Sequence, residues 1–263
     1  MRIYVWLILL NAHPITTETY LDLVRQGASS SYNKIRNDTH RTLKTDPLFK
    51  RRVTENSLTR VLNAVAWRLN EAHEAHVKGW ASPPTLSVAG DVGSPDRSFH
   101  SATGGGNGGG GGGALTDAAS EAGTTQTDAE QVGYVQGMNV LAAPFLYAAR
   151  GEVEAFVGFE RLITRECPAY IRGSMEGVHK GLALVDEILD IVDPKLAQHL
   201  RSKGLNASIY AFASVLTLSA CTPPLPEVLQ LWDFLLAYGV HLNLLCIVAQ
   251  LVLIRDQILN AER

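Results

Sequence analysis

Few of the side chains that could carry out chemistry have the neighbours that a metal site needs. His73 and His76 stand three residues apart beside Glu71 and Glu74, a spacing that could present two imidazoles on one face of a helix. A protein zinc site needs at least a third ligand, none is found nearby, and a solvated helix end is the favoured interpretation. No Gly-x-Ser-x-Gly turn accompanies the isolated histidines, which include His179, His199 and His241. We therefore predict no metal site.

One long segment differs in composition from the rest of the chain. Ser, Thr, Pro, Asp and Gly dominate residues 79–128, and Gly104 to Gly113 is glycine except for Asn107. A phosphate-binding loop would need Lys and then Ser or Thr after its last glycine, whereas Ala114 and Leu115 follow here. This composition cannot bury enough apolar area to offset the entropy of the chain. We predict a disordered low-complexity insert at residues 79–128.

Positive charge is concentrated in one stretch, although the chain as a whole is weakly acidic. The 23 Lys and Arg against 26 Asp and Glu give a net charge of -3, which provides no general attraction for nucleic acid or an anionic membrane. Residues 34–52, here called the cationic stretch, carry seven basic residues against only Asp38 and Asp46. An anionic partner could dock there, and a solvated helix face is the simpler alternative. The basic residues are Lys34, Arg36, Arg41, Lys44, Lys50, Arg51 and Arg52.

The cysteines and apolar runs predict a cytoplasmic protein without a membrane span. Cys167, Cys221 and Cys246 form no C-x-x-C pair, and their odd number fits reduced thiols better than a disulfide framework. Arg2 precedes an apolar run, as in a signal peptide, but no convincing small-residue cleavage site follows. The apolar run 242–254 contains polar residues and is shorter than the roughly 20 residues that cross a bilayer.

Apolar residues recur at helical spacing in one segment after another, which predicts an all-α fold. Pro168, the pair Asp193 and Pro194, and Gly204 interrupt this pattern where helices would end or begin. Neither period-two strands nor a repeat of 30 to 50 residues is found. The 263 residues fit one domain, 1–263, interrupted by the insert. The clearest apolar stripe consists of Met175, Val178, Leu182, Val185, Leu189 and Val192.

Four short motifs stand in a fixed order along the chain. They are R-x-x-x-W (Arg2, Trp6), I-x-x-D-x-x-R (Ile35, Asp38, Arg41), Y-x-Q-G-M-N (Tyr134, Gln136, Gly137, Met138, Asn139) and a downstream W-D (Trp232, Asp233). Together they resemble the TBC family of Rab-type GTPase activators, and the resemblance covers the chain except for the insert. The chain is also similar to one fungal branch of this family, which restrains mitotic exit or septation in the spindle-position checkpoint. This similarity lies in residues 32–43, 133–147, 164–168, 177–181 and 215–250.

This resemblance implies a function for two side chains. Arg41 would be an arginine finger, inserted in trans to neutralise charge on the phosphoryl group that a small Ras-like GTPase transfers from GTP. Gln136 would be a second finger that orients the attacking water, since a neutral amide both donates and accepts hydrogen bonds. Asp38 would help to hold Arg41, Ile35 would be a packing residue, and Trp6 would brace the core. The remaining Y-x-Q-G-M-N residues would shape the glutamine loop.

The resemblance also implies partners and a location. The protein would have no cofactor of its own and would act on the GTP and Mg bound to its partner GTPase, together with a separate partner subunit. By this resemblance it would work at spindle poles, and its weakly acidic net charge predicts that it binds no nucleic acid. Because the family usually continues with further helices, we expect a domain truncated at its C-terminus, with apolar surface exposed between Leu244 and Ile254.

Two alternatives remain open from the sequence alone. One is a non-catalytic scaffold of the same fold that binds a GTPase or another protein without accelerating hydrolysis. Intact Arg41 and Gln136 argue against this alternative, because a scaffold needs neither finger. The other is an unrelated helical adaptor, which would be favoured if the motif residues proved to be core residues.

Overall fold

The computed structural model describes residues 1–78, 133–171 and 175–261, and within these ranges every regular element is helical. The predicted all-α fold is confirmed. The predicted insert, residues 79–128, lies outside the described residues, and the single-domain organisation stays a prediction. The helices are α1 (Arg2–Leu9), α2 (Thr17–Arg25), α3 (Tyr32–Thr39), α4 (Pro47–Arg52), α5 (Glu55–Val77), α6 (Met138–Ala148), α7 (Glu152–Arg161), α8 (Pro168–Ile171), α9 (Glu176–Val192), α10 (Pro194–Ser202), α11 (Ala207–Tyr210), α12 (Phe212–Leu216), α13 (Leu225–Tyr238), α14 (Asn243–Leu253) and α15 (Arg255–Asn260), with a π turn at Leu162–Glu166 and a 3₁₀ turn at Val240–Leu242.

Short polar side chains fix where several helices begin. Asp46 accepts hydrogen bonds from two backbone N–H groups in the first turn of α4, at 2.8 and 3.0 Å. Thr54 and Asp193 cap α5 and α10 in the same way, each accepting one N–H. Pro47 and Pro194 follow two of these caps at the first helical position, where a missing N–H costs nothing.

The larger of two hydrophobic clusters is built from α1 to α7 together with α13. Three fully buried rings meet at its centre: the Trp6 and Phe145 centroids are 5.6 Å apart, and Trp232 lies 5.8 Å from Trp6 and 5.4 Å from Phe145. Asp233 accepts hydrogen bonds from Trp6 Nε1 at 2.7 Å and from Arg2 Nε at 3.0 Å. The R-x-x-x-W and W-D motifs therefore join α1 to α13 around the middle of α6.

The second cluster contains α9 to α12 and α14. Val178, Leu182, Val185 and Leu189 form the buried face of α9, as the apolar stripe predicts. Val192 does not join them, because it is the last residue of α9, where the chain turns into α10, and it is 56% exposed.

The apolar segment near the end of the described chain is buried on one face. Leu244, Ile247 and Val248 of α14 pack into the second cluster. Leu253 and Ile254 are exposed, so the predicted apolar exposure is found on the outer face alone. None of the helices in the described ranges is long and apolar enough to cross a membrane.

Candidate functional site

Arg41 lies just beyond the end of α3, where the chain leaves the helix. Its Nη2 donates to Oδ1 of Asp38, one turn earlier in the sequence. The two side chains differ in accessibility: Arg41 is 55% exposed and Asp38 only 9%. A buried carboxylate therefore holds one side of a guanidinium group that still faces solvent.

Gln136 lies in a tight turn immediately before α6 and is exposed. One backbone conformation and two hydrogen bonds shape this turn. Gly137 adopts a φ of 105°, its N–H donates to Asn139 Oδ1 at 3.1 Å, and the Val135 N–H donates to Met138 Sδ at 3.2 Å. The exposed amide thus stands on a turn whose N–H groups are bound by buried side chains.

Buried hydrogen bonds join the Arg41 segment to the Gln136 turn. The Tyr134 hydroxyl donates to Asp38 Oδ2 at 2.8 Å. Asn139 Nδ2 donates to Thr42 Oγ1 at 2.9 Å, and the Thr42 hydroxyl donates to the Asp38 carbonyl at 2.9 Å. Buried polar groups that satisfy one another in this way favour a single arrangement. We call this set of side chains, Asp38, Thr42, Tyr134 and Asn139, the finger network.

The environment of Tyr134 fixes the direction of its hydrogen bond. Burial raises the pKa of Tyr134 above its ordinary value, and the hydrogen bond to Asp38 raises it further. The phenol therefore keeps its proton at neutral pH and donates to Asp38, whose second oxygen accepts from Arg41.

The remaining predicted site residues fall into two groups. Ile35 and Met138 are buried beneath the finger network, in the larger cluster. Arg2, Trp6, Trp232 and Asp233 lie instead around the middle of α6, where they join α1 to α13. The roles predicted for all these residues stay predictions.

Sequence reasoning missed Thr42. It follows Arg41 directly, but it belongs to neither motif as written, and a single threonine at a helix end gives no signal of function. Its importance appears only when Asn139, 97 residues away, is brought against it.

The cationic stretch presents positive charge to solvent, because its basic side chains are exposed while its two acids are buried. Asp38 holds Arg41, and Asp46 caps α4 and also accepts the Leu225 N–H at 3.1 Å. Both carboxylates, Asp38 and Asp46, therefore accept hydrogen bonds from groups of the chain itself. Among the described residues no group of His, Cys, Asp and Glu is placed to hold a metal ion, His73 and His76 included.

Comparison with known proteins defines the class. The model of the Rab-GTPase-TBC domain matches residues 1–73 and 125–259. The chain therefore belongs to the Rab-GTPase-TBC domain family, as its motifs predict.

Two relatives have related cell-cycle names. The chain is 40% identical to cell division control protein 16 of Schizosaccharomyces pombe over 98% of this chain and 66% of that protein. It is 34% identical to the mitotic check point protein BUB2 of Saccharomyces cerevisiae over 99% of this chain and 71% of that protein. The resemblance to fungal checkpoint members is confirmed. The chain spans only about two thirds of the length of these relatives.

A solved structure shares the fold. The crystal structure of the Ypt/Rab-GAP domain of Gyp1p matches with a TM-score of 0.65 and 17% sequence identity, over 99% of this chain and 77% of that one. At this identity the likeness concerns the fold alone.

Proposed function

We propose that this protein is a GTPase-activating protein for a small Ras-like, Rab-type GTPase, with Arg41 and Gln136 completing the partner's active site in trans. The observation that carries the proposal is the finger network, whose buried hydrogen bonds join the two separate segments that carry these exposed side chains. In this role the chain turns over no substrate of its own. It acts on the GTP and Mg²⁺ that the GTPase brings.

The chemistry of phosphoryl transfer suits these two groups. Hydrolysis needs charge on the transferred phosphoryl group to be neutralised and the attacking water to be held in line. Arg41 offers a permanent planar cation, and because Asp38 occupies one side of the guanidinium, its other N–H groups stay available for phosphate oxygens. Gln136 offers one donor and one acceptor to a water molecule without a change of charge.

Preorganisation supports catalysis over simple binding. A group that is already held in place loses little entropy when the GTPase docks, so more of its interaction is available to the transition state. A scaffold would have no use for an exposed arginine fixed by a buried carboxylate. The match to the Rab-GTPase-TBC domain argues against an unrelated adaptor, and Arg41 and Gln136 are exposed although the motif residues around them are buried.

The relatives support a cellular role. Their names, cell division control protein and mitotic check point protein, lead us to place this chain in the restraint of mitotic exit or septation. We include in the proposal a separate partner subunit that helps to present the GTPase, and a cytoplasmic location at the spindle pole. The basic surface of the cationic stretch would face an acidic surface of one of these partners.

Single-turnover GTP hydrolysis tests the proposal. A panel of small GTPases is incubated with the wild-type chain, Arg41→Ala, Gln136→Ala and Arg41→Lys, with and without a candidate partner subunit. An arginine supplied in trans accelerates hydrolysis by about a thousand- to a hundred-thousandfold, or about 4 to 7 kcal/mol of barrier, so we expect Arg41→Ala to lose most of the acceleration. Arg41→Lys keeps the charge but loses the planar fork, and should also fall steeply while binding survives.

Arg201→Ala is the matched control, because Arg201 is an exposed arginine that is likewise held by a carboxylate, that of Asp190, and it lies outside the cationic stretch. It should accelerate hydrolysis as the wild type does. If folded wild-type chain binds a GTPase but leaves its hydrolysis rate unchanged, the scaffold alternative replaces the proposal.

A further inference from the structure

Thr42 is placed where the segments that carry the two predicted fingers meet. It follows Arg41 directly, and only 6% of it is exposed. Its hydroxyl donates to the Asp38 carbonyl at 2.9 Å and accepts from Asn139 Nδ2 at 2.9 Å. One small hydroxyl therefore bonds to both segments of the site.

The Asn139 amide continues this path to the second finger. Asn139 Oδ1 accepts the Gly137 N–H at 3.1 Å, which fixes Oδ1 as the acceptor and turns Nδ2 towards Thr42. Gly137 is bonded covalently to Gln136. The path from Arg41 to Gln136 thus needs only two hydrogen bonds, one at each end of the Asn139 amide.

The second link between the segments is of a different kind. The Tyr134 hydroxyl contacts the Asp38 carboxylate, and so acts on the group that holds the Arg41 side chain; it also lies 3.2 Å from Asn139 Oδ1. Thr42 instead connects the Arg41 backbone to the Gln136 turn. Without the Thr42 hydroxyl, the Asp38 carbonyl keeps backbone N–H donors, among them that of Arg41 at 3.1 Å, but the Asn139 Nδ2 group loses its buried acceptor.

We infer that Thr42 is a positioning residue for both fingers: its hydroxyl sets the separation of the Arg41 and Gln136 segments before a GTPase binds. This inference rests on the proposed function, since it assigns Thr42 a part in the same reaction. Thr42 touches neither substrate nor water in this role, and acts through Arg41 and Gln136. A displacement of about 1 Å at reacting groups can cost about a hundredfold in rate.

The test compares Thr42→Val, which has the same shape without the hydroxyl, with Thr42→Ser, which keeps the hydroxyl. For Thr42→Val we expect the kcat of activated GTP hydrolysis to fall by about ten- to a hundredfold, with the KM for the GTPase within about twofold. Thr42→Ser should recover at least half of the wild-type kcat. A uniform loss of binding would raise KM instead, and would contradict a positioning role.

Thr59→Val is the matched control. Thr59 is also a buried threonine, 8% exposed, and its hydroxyl donates to Thr39 Oγ1 at 3.2 Å, within the contact of α3 with α5. Thr59→Val removes a comparable hydrogen bond but leaves the link to the Gln136 turn intact. We therefore expect a loss of thermal stability similar to that of Thr42→Val and a nearly unchanged kcat. Equal falls in kcat for the two valine variants would mean that Thr42 acts through stability alone.

A second measurement needs no GTPase. Hydrogen exchange is followed in a peptide covering residues 134–139, where the Gly137 N–H is protected by Asn139. Thr42→Val should speed exchange in this peptide by about tenfold, since Asn139 Nδ2 has lost the acceptor that orients the amide, while Thr42→Ser and Thr59→Val should not. Unchanged exchange in Thr42→Val would overturn the inference.

The two measurements separate this inference from the proposed function. If wild-type chain activates a GTPase and Thr42→Val matches it, the inference fails and the proposed function stands. If wild-type chain activates no GTPase, the proposed function and the assignment of Thr42 to catalysis both fail, and hydrogen exchange still decides whether Thr42 holds the Gln136 turn.

Discussion

Replacing Gly137 by alanine tests how the Gln136 turn is built. Gly137 has a φ of 105°, in a region that residues with a side chain rarely occupy, at a cost of about 1–3 kcal/mol. An added Cβ would also lie 2.8 Å from Leu216 Cδ2, whereas carbon atoms prefer about 3.5–4.0 Å. Forcing an extra methyl group into a packed contact costs about another 1–3 kcal/mol. We therefore expect Gly137→Ala to lower the free energy of unfolding by about 2–6 kcal/mol.

Urea unfolding measures this loss, and Gly204→Ala is its control. Gly204 has a φ of 72° with open space around an added Cβ, so its alanine variant should lose only about 1–2 kcal/mol. In a Leu216→Ala background the steric part of the Gly137→Ala cost should disappear, leaving the backbone part. Equal losses at Gly137 and Gly204, or no relief from Leu216→Ala, would refute the reasoning. Gly137→Ala should also reduce GTPase activation by about a hundredfold, since the turn carrying Gln136 must shift by about 1 Å.

Three further predictions concern titratable groups. The pKa of Tyr134 is raised by burial and by Asp38, so the folded chain keeps a proton that the unfolded chain loses above about pH 10. The free energy of unfolding, measured in urea, should therefore fall as pH rises above about 10, and it should fall less steeply in Tyr134→Phe. The pKa of Asp193 is lowered, first by the N–H at the start of α10 and then by Arg255. The ionised carboxylate therefore stabilises the fold above about pH 4, and this stabilisation is lost as pH falls through the folded pKa. Asp193→Asn should make the free energy of unfolding depend less on pH in this range, and an unchanged dependence would contradict the role given to Asp193. Burial raises the pKa of the Cys167 thiol to about 12, so alkylation at pH 8 followed by peptide mass analysis should find Cys167 unmodified until the chain unfolds.

Local pattern was sufficient to predict the helical fold. Helix periodicity depends on neighbours three or four residues apart, and the buried face of α9 from Val178 to Leu189 follows it directly. The pattern does not show where a helix ends in space, which is why Val192 was wrongly placed in that face.

The candidate site was predictable in part. Arg41 and Gln136 could be selected because two motifs resemble those of a known family, but nothing in either motif gives the hydrogen bonds between them. The contacts of Asp38 with Tyr134 and of Thr42 with Asn139 join residues 96 and 97 positions apart, and only the folded chain brings them together. Thr42 was missed for this reason.

The joining of α1 to α13 has a consequence for synthesis of the chain. Arg2 and Asp233 are 231 positions apart, and the ring of Trp6 is covered by Trp232. A ribosome adds about 5–20 residues per second, so α1 waits roughly 10 to 50 s before α13 has been made. Phe145 of α6 is made earlier, but the face of Trp6 that packs against Trp232 has no native cover during that interval, and we expect the nascent chain to be a substrate for chaperones until α13 emerges.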